Sequence, residues 1–588
     1  MMERKLLLSG IIVSLFLGIM VFIDSEILPR FEIERPLSTS GNFYDGDFVL
    51  SEAPGFHDEE FYLTVSIPSI PRATIYWTID GTEPQPGEAN FITRGERDIQ
   101  VSGRLDGSSQ IFVADRTTDW RNAILMYHSE EWFWDREDRP REGISPVDDI
   151  DILQGTAFRF RGFIRGVPVT DTITATYIVE SDAVTRFNGM PIVAITAPYE
   201  DFLALYGNTC RTNMYRRVFN YEYFSYSENI YMRRFSMLGS SNLGGGYSRS
   251  NEQRTINVNF SRGELNGVIM YPIFDNVNEL YLMRLWNGGS VWRRHHFPDT
   301  LTQTVSSDLN VLFSNHQLAI KFINGEFWGF TNIREHTSNE DFIAEHTDLE
   351  RGNILVTNRR IEGGDLVQEG DEELGELLFL QELTIFTTEA DMSTDEARER
   401  LFNEFFDQDN FMDYLIVNTF FCNFDWPHNN VRMFRVVTPD PFSNNPYSDG
   451  RWRFILHDQD ATLRYVEECN NFNRLYERFD QADEGVKGYF LVFNNPAFVR
   501  EFVNRAEYVL EHYFYVERLV DYHNEFIAEY RPLLVDMYNR FNLRGSIYDS
   551  LENFERRDVQ DIEHFIQTRG YYYRQQLDHL LRRVGLEP

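Results

Sequence analysis

The chain has 588 residues, 42% hydrophobic and 15% aromatic, enough to fill more than one buried core, which excludes a disordered protein. Its formal net charge of -37 leaves no basic field to neutralise a phosphate backbone, so nucleic-acid binding is excluded and the acidity reads as a solvated surface. Lysine occurs only at positions 5, 321 and 487, and the three cysteines (Cys210, Cys422, Cys469) are an odd number without metal spacing, so no disulfide framework is implied.

Arg4-Lys5 precedes an apolar run over residues 6–23, with Asp24 and Glu26 beyond it. A run of that length spans a bilayer, and its basic flank stays cytoplasmic. The expectation is a transmembrane anchor with the rest of the chain extracytoplasmic; a cleaved signal peptide, and so a secreted protein, is the alternative. Residues 24–58 are polar with Pro and Gly and read as a linker.

Residues 61–67 and 73–79 alternate as strands do, and the second set runs into the turn Asp80-Gly81-Thr82-Glu83-Pro84. Residues 157–163 and 172–179 complete a β-sandwich over 59–180. The stretch Ile75-Tyr76-Trp77-Thr78-Ile79-Asp80-Gly81-Thr82-Glu83-Pro84 resembles the chitobiase/β-hexosaminidase C-terminal-type domain, with an insertion near 110–150. That resemblance implies a spacer or docking module; a cell-surface glycan on Trp77, or on Trp120, Trp132 and Trp134, is the functional alternative. A composition change near 180 predicts that a chain lacking residues 1–180 still folds.

A second domain is expected over 185–588. Residues 230–238 are strand-like and lead into the loop Gly239-Ser240-Ser241-Asn242-Leu243-Gly244-Gly245-Gly246, with a strand over 254–260 after it. A Gly/Ser loop between strands can turn backbone N–H groups onto phosphates, which makes Gly239, Ser240 and Ser241 candidates; a flexible hairpin tip looks the same. On the strand at 317–323, alternation puts Lys321 opposite Ile320 and Phe322, where it either meets a ligand or is simply solvated. Glu335 ends the next strand and either orients that cation, approaches the nucleotide, or is a plain helix-start carboxylate.

Residues 413–421 read as a buried helix, 431–437 and 451–457 as strands of matching length, and the loop 438–450 joins them as a hairpin. An antiparallel hairpin returns to where it began. Asp425 and Asn430 before it, and Asp458 and Asp460 after it, are therefore expected to converge. Such oxygens suit a hard cation such as Mg²⁺. Protein kinases also place a catalytic Asp five residues before a metal-holding Asn, followed by a second metal Asp. The His-Arg-Asp and Asp-Phe-Gly triplets of ordinary kinases are absent. Amphipathic helices fill the tail.

Asp425-Trp426-Pro427-His428-Asn429-Asn430, with Phe454-Ile455-Leu456-His457-Asp458-Gln459-Asp460, resembles the CotH (spore-coat protein H) family of atypical kinases. The upstream Asn324-Gly325-Glu326-Phe327-Trp328-Gly329 is similar to that family's Asn-Gly-Glu-Tyr-Trp-Gly hairpin. The resemblance implies an α+β, kinase-like two-lobed domain using ATP and Mg²⁺ to phosphorylate a protein, on Ser. Asp425 would act on the hydroxyl, Asn430 and Asp458 would hold metal, and Asp460 is the rival to Asp458. Arg254 stands where the family carries a lysine, which leaves Arg254 and Lys321 as competing phosphate-reading cations. A non-catalytic adhesin or pseudokinase scaffold, and a metal-dependent hydrolase, are the other function classes.

Overall fold

A computed structural model describes residues 42–87, 90–92, 99–102, 153–206, 216–228, 230–245, 253–288, 296–359, 361–362, 365–366, 390–427, 430–464, 466–471, 490–540 and 551–588. The apolar run at 6–23 and Trp120, Trp132 and Trp134 lie outside them, as does Cys210. Among the described residues no helix is long and apolar enough to cross a membrane.

Short alternating strands build the N-terminal sandwich. One sheet pairs Phe43–Asp45, Phe48–Leu50 and Val65–Ser66, and a larger one orders Gly55–His57, Ile173–Val179, Thr156–Ile164, Thr74–Thr78 and Asn90–Ile92. Phe48, Leu50, Leu63, Phe158 and Phe160 fill a core of its own. The linker expected over 24–58 therefore fails from residue 43 onward: Phe43, Phe48 and Leu50 are buried, and three strands lie in that stretch. Trp77 is half-buried with its ring edge-on to Phe158 at 5.5 Å, so it packs on the sandwich core, which gives a glycan site there no support.

Seven strands then close into a barrel in the order Ile192–Thr196, Arg217–Ser227, Ile230–Leu243, Ile256–Asn259, Leu282–Trp286, Glu326–Glu335 and His316–Ile323. Asn324 (φ +48°) and Gly325 (φ +82°) make the tight turn between the last two, a turn that needs positive φ and so favours Asn-Gly. A Cβ on Gly325 would lie 2.3 Å from the carbonyl oxygen of Gly155, so the turn also seats the sandwich.

Two expectations are corrected here. Gly239, Ser240 and Ser241 are not a loop: they lie within Ile230–Leu243, paired with Phe219, Val218 and Arg217 on one side, and Ser240 and Ser241 also pair with Asn259 and Val258 on the other. Strand pairing uses the backbone groups that a phosphate cradle would need. The strand expected over 254–260 is shorter, Ile256–Asn259, and Arg254 just before it is wholly buried.

Beyond the barrel, a three-stranded sheet orders Ile354–Arg359, Val431–Val436 and Arg453–Ile455. Helix Gln408–Phe420 packs on Arg453–Ile455, and helices Pro496–His512, Val516–Arg540 and Ile562–Arg583 surround the rest. One continuous core runs from the barrel (Ile192, Leu285, Ile333) through Leu415 and Phe454 to Leu577. The α+β class holds, with a barrel half and a helical half sharing that core.

Candidate functional site

The central hairpin forms as expected, with Arg432, Met433 and Phe434 opposite Ile455, Phe454 and Arg453, but its strands are unequal. The return strand stops at Ile455 because the backbone N–H of Leu456 turns to the carbonyl of Leu312 (2.8 Å). The flanking loops are tied together as well. Phe424 N–H donates to the Ala461 carbonyl (3.2 Å), and Leu463 N–H donates to the Phe421 carbonyl (3.0 Å). Asn418, buried on helix Gln408–Phe420, accepts from Asn423 (3.1 Å) and from Gln459 (3.4 Å), so one helical side chain reaches both loops.

Asp425 and Asn430 meet directly: Asn430 Nδ2 donates to Asp425 Oδ2 at 2.9 Å. Asn423 Oδ1 receives the backbone N–H of Asp425 at 3.1 Å. Asp425 is exposed, and Asn430 is half-buried. Asn430 (φ +65°) and Asp458 (φ +50°) both have left-handed backbones, a conformation that Asn and Asp tolerate better than other side chains. Asp458 opens partly to solvent, but its carboxyl is pushed well above the usual range. Burial is the main cause, then the charge of Asp460, with Asp299 and Asp425 adding to it and Arg284 opposing. Asp460 and, least, Asp425 are thus among the charges that bear on Asp458.

Three groups at this site escape sequence reasoning. Asp299, on helix Pro298–Val305, is buried; it accepts from Gln303 (3.0 Å), the backbone of Gln459 (2.6 Å) and Arg334. Arg334 and Arg284 are directly opposite each other on neighbouring barrel strands. A polar cavity of about 20 Å³ opens between Arg284, Arg334, Asp299, Glu335, His457 and Asp458, room for one water or one small group. The available signal was an arginine at a core-strand position, as in Leu282-Met283-Arg284-Leu285-Trp286, which needs a polar partner.

Glu335 lines that cavity, anchored by Asn315 (backbone N at 3.0 Å, Nδ2 at 2.8 Å) and by His346 at 2.7 Å. His457 accepts from Arg432 at 2.8 Å and stays neutral, its pKa driven well below the usual value by burial and then by Arg432 and Arg284.

Lys321 is placed elsewhere. It pairs with Val193, whose own partner is Tyr223, so it shares their barrel face. That face is the interior, because the opposite one carries the contacts to outside elements, such as Glu222 to Thr176, Arg334 to Asp299 and Asn332 to Tyr530. The lysine is opposite Ile320 and Phe322, as expected, but it is fully buried and not solvated, and among the described residues its Nζ has no hydrogen-bond partner. Burial alone pushes it down to about 7.

A divalent cation suits the oxygens of Asp458, Asp460 and Asn430, since positive charge there would relieve the repulsion that Asp458 carries. Among the described residues no three His, Cys, Asp or Glu side chains already close on one point.

No curated protein matches the chain. A family model described as CotH kinase protein matches residues 242–573, which takes in the barrel from the end of Ile230–Leu243, the central hairpin and the helices packed behind it, and leaves the sandwich outside. The match covers more than half of the sequence and includes each element that carries Asp425, Asn430, Asp458 and Asp460, so the chain belongs to the CotH kinase family.

Proposed function

We propose that this protein is an atypical kinase that transfers the γ-phosphoryl group of ATP to a serine hydroxyl of a protein partner. The observation that carries the reading is the 2.9 Å Asn430–Asp425 bond at the start of a hairpin whose return strand leads directly into Asp458. This is the kinase pattern of a catalytic Asp, an Asn five residues on and a second metal Asp. Asp425, exposed to solvent, orients the incoming hydroxyl and takes its proton. Asn430 and Asp458 would hold Mg²⁺, with Asp460 the rival ligand. The ion's contribution is to neutralise charge between the phosphates. The run at 6–23 supports an extracytoplasmic, membrane-anchored protein, or a secreted one if it is cleaved; protease accessibility on intact cells checks this.

The test is a pair of substitutions. Asp425→Asn should bind Mg·ATP within a few-fold of wild type yet transfer no label, because its interaction develops in the transition state. Asp458→Asn should lose both binding and transfer, because a metal ligand is gone. Wild-type protein that binds no nucleotide with any divalent ion would end the kinase reading, and binding without transfer would make it a pseudokinase.

A further inference from the structure

Kinases read nucleotide phosphates with a cation; of the two residues expected to do so here, Lys321 is inside the barrel and Arg254 is wholly buried just before Ile256–Asn259, and neither lines the cavity beside Asp458. In a chain with formal charge -37, two guanidiniums nevertheless line the cavity beside Asp458. Arg334 is fully engaged. Its Nε donates to Asn315 O (3.0 Å) and Ser314 Oγ (3.2 Å), its Nη2 to Ser314 O (3.1 Å), and its Nη1 to Asp299.

Arg284 is different. Among the described residues it makes no hydrogen bond, and its Nε is buried without a partner. Asp458 is the leading negative charge acting on it, followed by Asp299 and Asp460. Arg284 is half-buried, so the donor withheld from both water and protein is its Nε, and a ligand entering the cavity would meet a guanidinium with donors to spare. The small cavity beside it is lined by the carboxylates of Asp299, Glu335 and Asp458, by the guanidinium of Arg334 and by the neutral His457.

Building on the kinase reading, we infer that Arg284 is the phosphate-binding cation of this protein, its planar fork taking two oxygens of the nucleotide's phosphates beside Asp458. An arginine suits the place better than a lysine, because its charge survives burial and its geometry matches two oxygens at once. Without nucleotide the same guanidinium offsets the charge of Asp458.

The experiment compares Mg·ATP and adenosine binding by calorimetry in full-length wild-type, Arg284→Met and Arg284→Lys proteins. Arg284→Met should weaken Mg·ATP by about tenfold or more and leave adenosine unchanged, and Arg284→Lys should restore part of the loss. Mg·ATP affinity within twofold of wild type in Arg284→Met overturns the inference. So does an equal fall for ATP and adenosine, which would make the arginine a structural support. If wild type binds neither ligand, the kinase reading itself fails.

Discussion

Lys321 illustrates how much one buried group can weigh on the molecule. It is the only lysine among the described residues, fully buried in the barrel with no hydrogen-bond partner. Unfolded, it keeps its proton to the ordinary value of 10.5; folded, burial lowers that to about 7. Between the two values the unfolded chain holds the extra proton, so stability rises with pH across that window. Below about 7 both forms are protonated, and the full cost persists. Lys321→Met should therefore be more stable than wild type at pH 7, on the order of 3–5 kcal/mol, and should lose the rise between pH 7 and 10. Denaturant titrations across that range check it; a destabilised variant would mean that Nζ meets a partner inside the barrel.

At the scale of the element, the loop that carries Asp425 depends on how its helix ends. Helix Gln408–Phe420 stops one residue before Phe421, and Cys422 (φ +54°) turns the chain toward Asp425. Helix C-termini leave carbonyls without intrahelical partners. Here Arg569, wholly buried on the final helix, supplies the donors: Nε to Phe420 O (2.7 Å) and Nη2 to Thr419 O (2.9 Å). Its Nη1 also reaches Cys469 O at 3.2 Å, so one side chain grips both sides of the hairpin. Arg569→Met should orphan these buried carbonyls and destabilise the protein by at least about 3 kcal/mol. Urea unfolding measures it; a change under 1 kcal/mol would mean that water replaces the guanidinium.

Across the whole molecule, the sandwich and the barrel are joined through polar groups that neither could bury alone. Glu222, fully buried on the barrel, accepts from Thr176 of the sandwich at 2.5 Å and pairs with Arg233 at 3.3 Å. Arg233 in turn reaches Thr174 O (2.8 Å) and Asp45 (2.6 Å). Leu153 and Ile178, from the sandwich side of the chain, belong to the larger core. A chain beginning at residue 181 would keep the Glu222–Arg233 pair but lose Thr174, Thr176 and Asp45 from it, hydrogen bonds to charged groups worth about 1.5–3 kcal/mol each, and would uncover the core that Leu153 and Ile178 fill. We expect that truncated chain to unfold well below the full-length protein or to aggregate, contrary to what the composition change near 180 suggests. Calorimetric unfolding decides it, and an unchanged transition temperature would restore an autonomous unit over 181–588.

Much of the site was legible because it is local. Asp425 and Asn430 are five residues apart, Asp458 and Asp460 two, and the alternation of Val431–Val436 and Arg453–Ile455 brings both ends of a hairpin together without reference to the rest of the chain. The Asn324-Gly325 turn was readable for the same reason, since few residues accept its backbone. Gly239-Ser240-Ser241 misled because composition marks a stretch able to form a loop, while pairing with strands on either side decided otherwise. Alternation could assign Lys321 a face, but only barrel closure made that face an interior. Arg284, Asp299 and Arg334 come from separate elements, and their meeting with Asp458 depends on barrel register and helix docking, contacts between residues far apart in the chain that no local pattern encodes.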